Sequence, residues 1–223
     1  MNPAHANPSI PFEAVEHYKR AQDLLYNMEN EHDVKSANEA SAQYALAIAK
    51  ANGYYPAARA ELGMSLMLAG QQKKGENELK GALRQDPNCS LARGLLISLE
   101  MEKLGIGNLP PTGHWFGDLL VLGGQLMVSQ TKVQLVSNKV DELINVLPMD
   151  FSANLDTDYW LRVCKILLHI HDKLQNMRLM PRKGRVAKAI VDARWDLLNV
   201  PEDKISKVKE LKESAEGRLL LAR

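Results

Sequence analysis

The chain has 223 residues, of which 45% are hydrophobic and only 5% aromatic, with a formal net charge of +1. This length allows a sizeable buried core, and the near-neutral charge excludes a global attraction to nucleic acid or membranes. Ala, Leu, Lys, Glu, Gln and Met are plentiful. They predict an all-α fold, because β-strands prefer branched and aromatic side chains.

The N-terminal segment, residues 1–11, contains three prolines and predicts a loose arm rather than a signal peptide. The most apolar stretch, 119–128, is about ten residues long, whereas a membrane span needs roughly 20. The two cysteines, Cys89 and Cys164, are far apart and do not form a disulfide framework. We therefore expect a cytoplasmic protein that makes no membrane contact.

The first two helices are predicted by apolar residues spaced three or four apart. One such stripe begins near Pro11 and extends to Met28, and the polar residues 29–33 predict a loop. A second helix is expected over 36–51. It ends at Asn52-Gly53, because both residues tolerate the left-handed conformation of a helix C-cap.

Three further helices are predicted by proline and glycine. A helix over 56–69 begins with a proline, which suits a first helical turn, and ends at Gly70. The next helix, 72–85, stops at Asp86-Pro87-Asn88, because proline cannot continue a helix. Asn88 or Ser90 is expected to cap a fifth helix that extends to Leu104.

The hairpin formed by the third and fourth helices has small and apolar residues at fixed offsets, namely Leu62, Gly63, Leu66, Gly75, Leu79, Ala82 and Pro87. These offsets resemble the tetratricopeptide repeat (TPR), a 34-residue helical hairpin with the pattern W-x2-L-G-x2-Y, A-x3-F and P. Gly63 and Ala82 are expected to let the paired helices approach closely, with Leu62, Leu66 and Leu79 between them. The chain departs from the pattern at Arg59, which takes the tryptophan place, and at Gly75, which takes the first alanine place.

Degenerate copies flank this hairpin. Upstream, Ala40, Tyr44 and Ala47 match the spacing of a second repeat helix, and downstream Arg93 lies 34 residues after Arg59. The resemblance covers residues 12–104. It implies an array of helical hairpins that binds other proteins and is not an enzyme.

The Gly- and Pro-rich segment 105–113 predicts a linker, and residues 114–223 predict a helical bundle. Apolar residues over 119–147 alternate at three- and four-residue steps, which is typical of helices packed knobs-into-holes and permits a homodimer. This helix is expected over 116–146, with a kink or a hairpin at Gly123-Gly124. The sequence Leu147-Pro-Met-Asp is expected to terminate it.

The remaining bundle helices are predicted over 156–176, over 185–199 and from Pro201 onwards. Stripes of apolar residues mark each of them. Short polar links between them are typical of a bundle.

The resemblance also implies a groove lined by the first helix of each repeat. The residues expected on it are Ala57, Ala60, Met64, Met67, Leu68, Leu91 and Met101. The Lys and Asn residues of a carboxylate clamp are absent, and flexible methionines favour an amphipathic helix as the occupant. The sequence leaves open whether that helix comes from a partner or from this chain's own C-terminal half.

A basic segment over 178–194 offers an alternative function. Arg182, Lys183, Arg185 and Lys188 form a candidate anion patch for nucleic acid, although only Trp195 is near for base stacking. Binding to an anionic protein surface is a further possibility, as is a purely structural oligomer.

Catalytic and metal sites are not indicated. Cys164 and His171 share a helix face, but no third or fourth ligand is spaced to join them. We expect a buried thiol beside an exposed imidazole. Without catalytic or phosphate-binding motifs, the sequence favours a non-catalytic scaffold or adaptor that needs no cofactor.

Overall fold

A computed structural model describes residues 10–26, 33–104, 117–153, 156–175, 183–193, 198 and 200–220. Over these residues the protein contains nine helices and no strand, which confirms the all-α prediction. In chain order they are α1 (Phe12–Tyr26), α2 (Val34–Lys50), α3 (Pro56–Leu68), α4 (Gln72–Gln85), α5 (Ser90–Lys103), α6 (Gly117–Ala153), α7 (Thr157–Gln175), α8 (Lys183–Val191) and α9 (Glu202–Leu220). None of the helices described is long and apolar enough to cross a membrane.

The chain divides into two compact units, Met1–Ala92 and Arg93–Arg223, so the division falls within α5. The sequence placed the boundary later, at the linker 105–113, which lies outside the described residues, as does most of the predicted N-terminal arm. Much of α5 belongs to the second unit because its side chains reach α6 and α7. Arg93 donates to Glu142 at 3.1 Å, and Gly94 lies against Ile166.

In the first unit, α1 to α4 pack in sequence as helical hairpins with short connections. The predicted C-cap of α2 is confirmed, since Asn52 and Gly53 have positive φ angles of 51° and 83°. α4 ends at Gln85 as expected, where Asp86 is extended, because a residue before proline avoids the helical region.

The two helices of the α3–α4 hairpin meet through glycines. A Cβ added at Gly75 would lie 2.5 Å from the Gly63 carbonyl oxygen, and one added at Gly63 would lie 2.9 Å from the Gly75 oxygen and 2.8 Å from Leu79. Backbone therefore touches backbone at this point. The predicted close approach at Gly63 is present, with Gly75 as its partner.

Leu62 and Leu66 belong to a cluster that also includes residues of α1 and α2. Its members Tyr18, Ala40, Tyr44 and Leu62 are buried, and Leu66 packs against them. The ring centroids of Tyr18 and Tyr44 are 5.7 Å apart. These contacts hold α3 to the α1–α2 hairpin, whereas the sequence assigned both leucines to the α3–α4 space.

In the second unit, α6 is one continuous helix of 37 residues that includes Pro148. The predicted termination at Leu147-Pro-Met-Asp is therefore wrong, and Gly123-Gly124 does not split the helix. An internal proline removes a hydrogen bond and costs roughly 3 kcal/mol. Contacts beyond it offset this cost: Asp150 accepts a hydrogen bond of 2.8 Å from the Tyr159 hydroxyl, and the Phe151 ring packs 4.6 Å from Trp160.

The described part of the 119–147 stripe is internal. Val136, Val140, Leu143 and Leu147 are buried in the single chain. The side chains of residues 117–131 and of Val133 are not among those described, so a homodimer through this stripe stays a prediction.

α7, α8 and α9 pack together, and ion pairs link α7 to α9 at both ends. Asp158 pairs with Lys204, and Asp172 accepts two hydrogen bonds of 2.7 and 2.8 Å from Arg218. The two acids are as far apart on α7 as the two bases are on α9, so these helices run parallel. The predicted α7 stripe is confirmed, because Trp160, Val163, Leu167, Ile170 and Leu174 are all buried. α8 lies over Lys183–Val191, earlier than the predicted 185–199.

Candidate interaction surface

One side of α3 carries the residues of interest. Residues 57, 61, 64 and 68 are spaced by four, three and four, so they share one side of the helix. Met64 and Leu68 are partly exposed, as is Ala57 at the start of the helix. We call Met64 and Leu68 the α3 strip, because they are the large apolar side chains that are partly exposed on this side.

The other predicted groove residues are less accessible. Ala60, Leu91 and Met101 are 0% exposed in the folded chain, so a partner cannot reach them in this conformation. The other four predicted groove residues are partly exposed, but two of these four already pack inside the first unit. Ala57 lies against the core cluster, and the Met67 Cγ lies 2.6 Å from the Cβ position of Gly75.

Beneath the α3 strip, a buried polar cluster joins α3 to α2. The Tyr44 hydroxyl donates to Glu61 Oε2 at 3.4 Å, and the Ser41 and Ser65 hydroxyls lie 2.9 Å apart. Glu61 and Ser65 are both 0% exposed. Buried polar groups need such partners, so these contacts fix α3 against α2 and orient the strip.

Sequence reasoning missed Glu61, because a glutamate on a short helix is usually solvated. Its spacing held a signal: Glu61 lies four residues after Ala57 and three before Met64, on the side already assigned to a groove. A charged residue within a stripe of apolar and small residues is a reason to expect buried polar partners on the next helix.

Arg59, which occupies the tryptophan place of the TPR pattern, binds the turn between α2 and α3. It donates from Nη1 to Glu78 Oε2 at 3.0 Å and from Nη2 to the Gly53 carbonyl at 3.3 Å. Gln85 Nε2 donates to the same carbonyl. Three segments of the first unit are thereby connected by hydrogen bonds where the repeat pattern has an aromatic residue.

The two cations of the predicted anion patch whose side chains are described are paired with this chain's own acids. Arg185 donates to Asp141 of α6 at 2.7 Å, and Lys188 pairs with Asp192. Lys183 begins α8 without a described side chain, and Arg182 lies outside the described residues. The described part of this patch therefore offers little uncompensated charge.

Cys164 and His171 do not form a reactive pair in the described structure. Burial raises the pKa of the Cys164 thiol and so disfavours the thiolate. His171 is buried as well, at 1% exposure, so the expectation of an exposed imidazole is wrong. Its Nδ1 lies 3.2 Å from Asp172, and the Arg218 guanidinium lowers the pKa of that carboxyl. Across the residues described, no three His, Cys, Asp or Glu side chains are placed to hold a metal ion.

Comparison of the chain with family models, curated proteins and solved structures gives no match. The class that its fold defines is an all-α protein with a row of helical hairpins followed by further packed helices.

Proposed function

We propose that this protein is a non-catalytic interaction module of the cytoplasm, a TPR-like scaffold or adaptor that binds a helical or extended segment of a partner protein. The observation that carries this proposal is the α3 strip. Met64 and Leu68 stay partly exposed, one turn apart, on a helix that also carries the fully buried Ala60, Glu61 and Ser65. Exposed methionine and leucine side chains one turn apart suit an apolar anchor of a partner helix.

Two features of the first unit support a rigid binding platform. The backbone contact between Gly63 and Gly75 locks α4 against α3, and the buried polar cluster locks α2 against it. A surface that is already ordered binds with a smaller loss of conformational entropy. Helical hairpins stacked in this way are also the arrangement that the TPR resemblance implies.

The alternatives have weaker support. A nucleic-acid site at 178–194 needs free cations, yet Arg185 and Lys188 are paired with carboxylates of the same chain. An oligomer built on the 119–147 stripe needs exposed apolar residues, yet its described positions are buried. Both cysteines are free, which suits a reducing compartment such as the cytoplasm.

The test is the double substitution Met64→Glu with Leu68→Glu. Proteins captured from native cells by the wild type should be lost with this variant, because a charge cannot be buried against an apolar anchor. Leu46→Glu on α2 is the matched control, since Leu46 is also an exposed apolar residue, at 44% exposure. If both variants retain the same partners while circular dichroism shows intact helices, the α3 strip is not the binding surface.

A further inference from the structure

The solvent side of α4 is basic. Lys73, Asn77, Lys80 and Arg84 are spaced by four, three and four residues, and all four are exposed. They therefore project from one side of the helix. With Arg59 of α3, the three cations of this row form what we call the basic face.

Two guanidinium groups converge on this face above Gly81. A Cβ at Gly81 would lie 3.3 Å from Arg59 Nη1 and 3.5 Å from Arg84 Nη2. Because Gly81 has no side chain, both guanidinium groups can occupy the space beside it. Arg59 has Glu78 as a partner at 3.0 Å, but Arg84 has no carboxylate partner among the described residues.

Positive charge is in excess here. α4 carries two acids, and each already has a partner: Glu76 pairs with Lys80, and Glu78 pairs with Arg59. Lys73, like Arg84, has no ion-pair partner in the described part of the chain. On α2 and α9, by comparison, the pairs Lys35–Glu39 and Lys209–Glu213 balance exposed lysines within one helix.

We propose that the basic face binds an acidic segment of a partner protein. Arg84 and Lys73 bind carboxylates of this segment, and the segment passes over the Arg59 guanidinium. Arginine presents a planar fork that binds a carboxylate with two hydrogen bonds. From Lys73 to Arg84 the face is roughly 16 Å long at about 1.5 Å per residue, so it spans about three turns of a partner helix. Complementary charge of this kind contributes mainly to the rate and the specificity of association.

An acidic protein segment fits this face better than a nucleic acid. α4 has no aromatic residue on which a base could stack. Two of the four cations are already paired with Glu76 and Glu78, whereas phosphate backbones are usually bound by rows of free cations. The basic face consists of three α4 residues and Arg59 and does not include the α3 strip, so the two surfaces fail or succeed in separate experiments.

The experiment measures binding of the full chain to a fluorescent peptide that has glutamates at helical positions i, i+4, i+7 and i+11. A peptide with glutamines in their place is the neutral comparison. The test variant is Lys73→Glu with Arg84→Glu, and the control is Lys19→Glu with Arg20→Glu on α1, which changes the net charge equally at exposed positions. Glutamate is a good helix former at all four sites.

The wild type should bind the glutamate peptide at least about tenfold more tightly than the test variant, a difference of about 1.4 kcal/mol. The control variant should bind like the wild type, and added salt should weaken binding. Three results overturn the proposal: no binding of the glutamate peptide by the wild type, an equal loss in both variants, or tighter binding of a single-stranded oligonucleotide through the same two residues. If the test variant loses its helical circular dichroism, Lys73→Gln with Arg84→Gln takes its place with the same expected order.

Discussion

The two units bring their helices together in different ways. In the first unit, α3 and α4 touch through backbone at Gly63 and Gly75. In the second unit, large buried side chains such as Trp160 and Leu167 fill the interfaces, and ion pairs such as Asp172–Arg218 link the helix ends. Side chains can change rotamer when a neighbour grows, whereas a backbone contact can relax only if a helix moves. The first unit should therefore be the less tolerant of added volume.

Both units also bury a tyrosine beside a carboxylate, but the geometries differ. Tyr159 donates to Asp150 at 2.8 Å, whereas the Tyr44 hydroxyl lies 3.4 Å from Glu61. All four residues are nearly or fully inaccessible to solvent. The shorter bond has the better hydrogen-bond distance, so the polar contact should contribute more to stability in the second unit.

The largest effect is expected from Gly75→Ala. Its Cβ would lie 2.5 Å from the Gly63 oxygen and 2.6 Å from Met67 Cγ, so α3 and α4 must separate. Overpacking of this kind costs about 3 kcal/mol, more than the ~1 kcal/mol gained from helix propensity. Urea unfolding followed by circular dichroism measures the loss. Hydrogen exchange should show it in α3 and α4, with α7 and α9 unchanged.

Gly217→Ala is the matched control for that substitution. Gly217 is exposed on α9, and an added Cβ would meet no atom within 4 Å. Alanine should therefore stabilise the protein by up to about 1 kcal/mol through helix propensity alone. Equal stability of the two alanine variants would mean that the backbone contact between α3 and α4 is not tight.

The next effect distinguishes the two buried tyrosines. Tyr159→Phe removes the hydrogen bond to a buried carboxylate and should lower the free energy of unfolding by about 2 kcal/mol. Tyr44→Phe removes a longer contact and should cost less than about 1 kcal/mol. Each substitution deletes one oxygen from a ring that is 0% exposed, so each serves as the other's control. A larger loss for Tyr44→Phe would reverse the order that the distances predict.

Most helix positions could be predicted because their signals are local. Gly70 and Pro87 end helices through the conformation of a single residue, and the predicted bounds of α4 match those observed. Pro148 misled the prediction because the contacts that keep α6 helical beyond it come from Tyr159 and Trp160 on α7. A proline disrupts a helix locally, but the free energy that it costs can be offset by contacts with residues that are distant in sequence.

The candidate surface was harder to predict than the fold. The spacing placed Met64 and Leu68 on one side of α3, but it could not show that Ala60, Leu91 and Met101 are buried, because burial depends on every packed neighbour. Gly75 was assigned only as a substitute for alanine. Its role depends on the distance between two backbones, which spacing does not contain.

A smaller effect is expected from Gly94→Ala in the second unit. Its Cβ would lie 2.9 Å from Ile166 Cγ2, the end of a side chain, with Leu143 next at 3.7 Å. Rotation of Ile166 relieves the contact, so the net cost should be about 1 kcal/mol or less. In an Ile166→Ala background the cost should disappear.

The same kind of double substitution should fail in the first unit. Met67→Ala should not rescue Gly75→Ala, because the Gly63 oxygen remains in place. If Met67→Ala rescued Gly75→Ala as Ile166→Ala is expected to rescue Gly94→Ala, neither contact would be made through backbone.

The smallest effect concerns the ion pair between Asp172 and Arg218. The Arg218 guanidinium lowers the pKa of the Asp172 carboxyl, so the ionised form is the one that folding favours. The resulting stability is present above the unfolded pKa of about 4 and is lost as the pH falls through the folded pKa. Because the Asp172 side chain is 49% exposed, solvent screening limits the contribution to about 0.5 kcal/mol.

Asp172→Asn should therefore be less stable than the wild type at pH 7, and the difference should shrink to zero in acid, below the folded pKa of Asp172. Urea unfolding at both pH values measures this change. Glu213→Gln is the control, because its partner Lys209 lies 3.8 Å away and both side chains are well exposed, so its loss should change the free energy of unfolding very little. A difference for Asp172→Asn that persists in acid would assign its cost to packing rather than to charge. The second unit would then depend on side-chain fit at its helix ends as well as in its core.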